Sequence, residues 1–176
     1  MGEGARLRGV LVAGACLLAA ALLLGGCGEP DVDLEPAERT AGEHLLDEVG
    51  VVDDAVDARL ADLSAETGFD VIALAYEDER ASLGQADRAG RALLEAWDAD
   101  IVLVAVAFPG HFEEPDPDAR QRFFGVTATD RFAVGRDLRE RIVEDAVPGP
   151  AADNDWTGAF MAAIAVLDEE LTDPQE

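Results

Sequence analysis

Two stretches, Phe69-Asp70-Val71-Ile72-Ala73-Leu74-Ala75-Tyr76 and Ile101-Val102-Leu103-Val104-Ala105-Val106-Ala107-Phe108, decide the fold of this chain. Each is too short for a typical helix and too continuously apolar for a strand wetted on one face. Both therefore read as strands covered on both sides. Between them Ser82 can cap a helix on which Ala86, Gly90, Leu93 and Trp97 share one face. Strand, helix, strand in that order predicts a crossover between parallel neighbours, right-handed by the usual rule. Ahead of the first strand, Asp53 can cap a helix carrying Val56, Leu60, Leu63 and Thr67 on one stripe, with Gly68 as its left-handed stop.

Beyond Phe108 the chain changes character. The prolines and carboxylates of Pro109 to Asp118 fit neither a helix nor a central strand, so the segment predicts a long exposed turn. Arg120 to Ala128 then reads as a third strand, antiparallel to the second. Thr129 or Asp130 is expected to open a helix bearing Val134, Leu138, Ile142 and Ala146, which Pro148-Gly149-Pro150 should break. A last helix from about Asp155 places Trp156, Phe160, Ile164, Leu167 and Leu171 on one stripe, and Asp173-Pro174 ends it. The expected class is α/β, a small mixed sheet sandwiched between helices in three layers, over residues 45–172 with a short tail at 173–176.

The first residues have a different logic. Arg6 and Arg8 precede an apolar run from Val10 to Leu24, and Leu24-Gly25-Gly26-Cys27 closes it with small residues before a cysteine. The run is about 15 residues, short of the roughly 18 to 20 that a spanning helix needs. This pattern resembles the lipobox of bacterial lipoproteins. The resemblance implies a signal peptide over residues 1–26, removed on processing, and a membrane attachment through acyl chains such as palmitate on Cys27, at the extracytoplasmic face of the cell membrane. Residues 27–44, with Glu29-Pro30, Glu35-Pro36 and few large apolar side chains, read as a flexible acidic tether with a reach of roughly 20 to 27 Å.

Charge narrows the function. Removing Glu3, Arg6 and Arg8 with the signal takes the formal charge from −25 to about −26, and all 13 cations are arginine. A chain this acidic is not a nucleic-acid binder, because phosphate contacts need clustered cations. It does not adsorb to anionic lipid by charge either, so a lipid has to hold it. Without lysine there is no Schiff base and no P-loop. His44, at the edge of the tether, and His111, in the acidic turn, both read as solvated surface residues, which leaves Ser-His and Cys-His nucleophiles without a base. Carboxylate chemistry remains, alone or with Ca²⁺ or another divalent cation. Asp98 and Asp100, at the mouth of the second buried strand, lead the candidate ligands. Asp130 and Asp155 follow, although both also stand where helix N-caps are expected. Glu113, Glu114, Asp116 and Asp118 lack the Gly and terminal Glu of an EF-hand loop and read as a solvated acidic loop.

The order of these parts resembles the TPM domain, a module of bacterial extracytoplasmic proteins and of plant thylakoid-lumen proteins linked to photosystem II repair. Val52-Asp53, Glu66-Thr67-Gly68 leading into Phe69-Asp70-Val71-Ile72-Ala73, Trp97 ahead of Ile101-Val102-Leu103-Val104-Ala105, and Pro148 followed by Asp155-Trp156-Thr157-Gly158 carry the likeness. The family's Asp-Asn-Gly before the second strand is Asp98-Ala99-Asp100 here, so Asp98 takes its acidic position. Gly125-Val126-Thr127-Ala128-Thr129-Asp130 stands in place of the family's glycine-rich Gly-Leu-Glu stretch. The resemblance implies a non-catalytic envelope module that binds another envelope protein or assists membrane-protein upkeep. Because some members are described as acid phosphatases, it also implies an alternative, a metal-dependent acid phosphatase-like hydrolase.

Overall fold

A computed structural model describes residues 38–113, 121–129 and 134–172. The elements run β1 (Leu45–Asp47), α1 (Ala55–Thr67), β2 (Val71–Glu77), α2 (Leu83–Trp97), β3 (Ile101–Ala107), β4 (Arg122–Ala128), α3 (Arg136–Glu140), a π-helical turn (Arg141–Ala146), α4 (Pro148–Ala152) and α5 (Trp156–Thr172). Strand order is β1-β2-β3-β4, with the first three parallel and β4 antiparallel to β3. The protein is thus the small mixed α/β sheet between helices that its sequence predicts. The lipobox with Cys27, the tether up to Ala37, the second half of the acidic turn from residue 114, Asp130 and the tail at 173–176 lie outside the described residues.

Alternation along the strands sorts the core into two layers. Val71, Ala73 and Ala75 of β2, with Ile101, Leu103 and Ala105 of β3, meet Val56, Leu60 and Leu63 of α1 and the Trp156, Phe160, Ile164 and Leu167 stripe of α5. Their alternates Ile72, Leu74, Val102 and Val104 meet Ala86, Ala89, Leu93 and Trp97 of α2 on the other face. Each large side chain taken wholly out of water stabilises the fold by about 1.5–3 kcal/mol. Because β1, β2 and β3 lie in line while α1 and α2 cover opposite faces, the two crossovers have opposite hands. One of them therefore departs from the right-handed rule. Gly90 lets α2 sit close on β4, since a Cβ there would lie 2.9 Å from Thr127 Cβ.

The Gly68 stop and the Ser82 cap follow the sequence, whereas the N-cap of α1 is Asp54, without a side-chain cap bond, one residue after the expected Asp53. Gly68 ends α1 at φ 75°, and the Ser82 side chain accepts from Gln85 N–H. Asp53 accepts from Ala55 N–H at 2.8 Å at the entrance to α1.

Three expectations are corrected. Thr129 does not open the helix after β4: its N–H is spent on Asp100 C=O, prolonging the β3–β4 ladder, and α3 begins at Arg136 behind Gly135, while Asp130 lies outside the described residues. Val134 is buried from the loop, while Leu138 and Ile142 keep their place on the buried stripe. Pro148-Gly149-Pro150 does not end helical structure; it opens α4. Both prolines fall in the first turn, where N–H groups have no partner within the helix anyway. Ordered packing also begins before residue 45, as the contacts of Arg39 and His44 show.

Candidate functional site

An apolar sheet leaves polar chemistry only at its two ends. At the end where β2 and β3 begin, Arg39 reaches back across 31 positions to grip Asp70. Nη2 donates to Asp70 Oδ1 at 2.9 Å, and Nη1 donates to Asp70 Oδ2. Its Nε donates to Glu43 C=O at 2.7 Å, and the guanidinium lies 5.3 Å from the centre of the Trp97 ring. The bonds to Asp70 are the main reason the guanidinium pKa is pushed further up. His44 Nδ1 sits 3.0 Å from Val71 C=O and 3.4 Å from Asp70 Oδ1, with 12% of the side chain exposed. Its expected solvated role is therefore corrected: a hydrogen bond to the start of β2 draws it onto the domain. His111 is half-buried at the opposite end.

Asp98 and Asp100 share this first end but do not converge. Asp98 is exposed and caps the C-terminus of α2 in the left-handed conformation, at φ 51°. Asp100 turns inward, and its Oδ2 accepts Asp70 N–H at 3.0 Å. Asp155 belongs to the other end of the sheet, about 20 Å away by the rise of a seven-residue strand. There it accepts Gly158 N–H at 2.7 Å as the N-cap of α5. A side chain at Gly158 would overlap that carboxylate, which accounts for the glycine. Asp130 lies outside the described residues. Among those residues, no group of three or more His, Cys, Asp or Glu side chains is placed to hold a metal ion.

The second end carries a cleft of about 200 Å³, lined by Leu83, Arg122, Phe123, Phe124, Val143, Val147, Pro148, Ala151, Ala152 and Trp156. It sits where β4 meets the π-helical turn, α4 and the first residue of α2. Leu83, at 58% exposure, is the exposed large apolar side chain among the described residues. Arg122 is buried, lies 5.6 Å from the centre of the Trp156 ring, and donates to Asn154 Oδ1. Asn154 is itself in the left-handed conformation at φ 59° and donates to Glu113 C=O at 3.0 Å. Phe112 packs edge-on against Trp156 at 4.8 Å, and the Trp156 indole N–H has no acceptor among the described residues. Apolar walls with one guanidinium are suited to holding a partner's side chains rather than to breaking bonds.

A third cluster borders this end. Tyr76 donates to Gln85 C=O at 3.4 Å, and Gln85 Oε1 accepts from Arg88 at 2.9 Å. Burial first, and the charge of Asp78 second, push the Tyr76 phenol well above its ordinary range.

Sequence reasoning placed the backbone of this cleft but missed the cleft itself, along with Arg39, Leu83 and Arg122 as functional residues. The available signal was a lone arginine entering an apolar strand beside Phe123-Phe124, and a leucine directly after a helix cap.

Neither the family models nor the curated proteins contain a match to this chain. Among solved structures it is similar to the N-terminal domain of the cg2496 protein from Corynebacterium glutamicum, at 13% identity. That similarity covers 82% of this chain and 90% of the other, with a TM-score of 0.49.

Proposed function

We propose that this chain is a lipid-anchored extracytoplasmic module of TPM type that binds another envelope protein, or assists membrane-protein upkeep, without catalysing a reaction. The observation that carries this reading is the cleft at the end of β4, whose apolar walls and exposed Leu83 form binding rather than reaction chemistry. The sequence up to Cys27 supports the anchor. At about 0.8 kcal/mol per buried CH₂, two or more acyl chains would make the attachment effectively permanent.

The test has two arms in intact cells. Metabolic labelling with a clickable fatty acid should mark the wild type and leave Cys27→Ala unmarked; an unmarked wild type refutes the anchor. A photo-crosslinking residue in place of Leu83 should give one discrete adduct, while the same residue in place of the exposed Glu95 on α2 should not. Adducts from both positions, or from neither, refute the partner.

A further inference from the structure

The two edges of the sheet are finished differently. On β1, a strand of only three residues, the outward-facing Leu45 N–H is taken by the Asp57 carboxylate at 2.9 Å, which leaves little edge to pair with. On β4, Phe108 N–H donates to Gln121 C=O and Thr129 N–H donates to Asp100 C=O. Residues 121, 123, 125, 127 and 129 therefore turn their backbone toward β3. Arg122, Phe124, Val126 and Ala128 turn theirs the other way, off the sheet. For Phe124, Val126 and Ala128 those N–H and C=O groups have no hydrogen-bond partner among the described residues. Phe124 and Val126 send their side chains into the core and are only 5% and 7% exposed, so the strand is firmly seated while its outward backbone groups are left for water or a partner to satisfy. The cleft opens beside this edge, with Leu83 on one side and Val143 and Val147 on the other.

We propose that the free edge of β4 takes an extended, basic peptide segment of the partner as a fifth strand, with alternate apolar side chains of that segment entering the cleft. Unpaired donors and acceptors on alternate residues match the backbone of an added strand, and the neighbouring pocket matches its side-chain period. Charge selects the partner: a chain of formal charge −25 attracts a cationic segment and repels a second copy of itself. This inference rests on the partner-binding reading above and specifies its surface.

The probe is a peptide of about nine residues alternating isoleucine and arginine, compared with the same peptide N-methylated at alternate amides, which keeps the charge and loses the ladder. Full-length protein is followed by amide hydrogen exchange. Without peptide, the Phe124 and Val126 amides should exchange faster than those of Phe123 and Gly125. With peptide, they should slow by about tenfold or more, and the N-methylated peptide should bind at least about tenfold more weakly. Ala128→Pro, which removes an outward donor without touching the β3 ladder, and Leu83→Ser should each weaken binding while the melting curve stays cooperative. Equal binding of both peptides, no binding, or protection that appears with protein concentration alone would overturn strand addition. A Leu83 adduct in cells with no protection at Phe124 and Val126 would leave the partner standing and remove the strand. Protection with no adduct would do the reverse.

Discussion

Replacing Arg39 with alanine removes two charge-assisted bonds to Asp70, one bond to Glu43 C=O and the stacking on Trp97. A hydrogen bond to a charged group contributes about 1.5–3 kcal/mol, and a cation–π contact at a part-exposed site adds about 0.5–1 kcal/mol. The Arg39 and Asp70 side chains are 20% and 28% exposed, so solvent screening trims the total. The expected loss is about 2 kcal/mol, which for a chain of this size lowers Tm by roughly 4–8 °C. A calorimetric melt of the full chain reads it directly. Arg136→Ala is the control, because its pair with Glu140 is 87% and 44% exposed and contributes at most about 0.5 kcal/mol. A double-mutant cycle of Arg39→Ala with Asp70→Asn should give a coupling of about 1 kcal/mol or more. A shift no larger than that of Arg136→Ala, or strict additivity in the cycle, would refute the clamp.

Tyr76 is the only tyrosine, so the near-ultraviolet phenolate signal reports it alone. Its raised pKa means the unfolded chain releases the proton from about pH 10 while the folded chain retains it, so stability holds below that pH and falls above it by up to about 1.4 kcal/mol per pH unit. A reversible phenolate rise near pH 10 in the folded protein would contradict this. Asp155→Ala should cost about 1 kcal/mol, and Asp155→Ser, which still caps, should restore most of it in a denaturant titration. If neither serine nor asparagine restores stability, the cap is not the role. For Asp98 and Asp100 the expectation is a diffuse ion response: melting series in Mg²⁺, Ca²⁺ and monovalent salt should superimpose at matched ionic strength. A saturable shift with Ca²⁺ alone that vanishes in Asp98→Asn/Asp100→Asn, with turnover of a phosphomonoester, would favour the hydrolase.

Local chemistry made most of the fold readable. The Val71–Glu77 and Ile101–Ala107 strands, the Gly68 stop and the Ser82 cap each depend on a few adjacent residues, and each stands where the pattern put it. What escaped was non-local or ambiguous. β1, at three residues, is too short for a period to show, and it exists because Asp57 and β2 hold it from outside. Thr129 could cap a helix or extend a ladder, and only the position of Asp100 decides. Prolines signal a stop in sequence, but at the first turn of α4 they are a start. The candidate site was less legible still. Its walls come from α2, β4, the π-helical turn, α4 and α5, and no spacing along the chain announces that these meet. Carboxylates drew attention by number, yet Asp155 and Asp57 are satisfied by backbone N–H groups.

The Arg39 grip also fixes where mechanical load enters the domain. A pull arriving along the preceding chain meets Arg39 before it reaches β1, and is passed through Asp70 and Trp97 into the head of the central strand and the tail of α2. Without that grip the same pull would fall on the three residue pairs that join β1 to β2, the weakest seam of the sheet. Arg39 therefore works as a strain relief, of the kind that keeps a tug on a cable from reaching its solder joint.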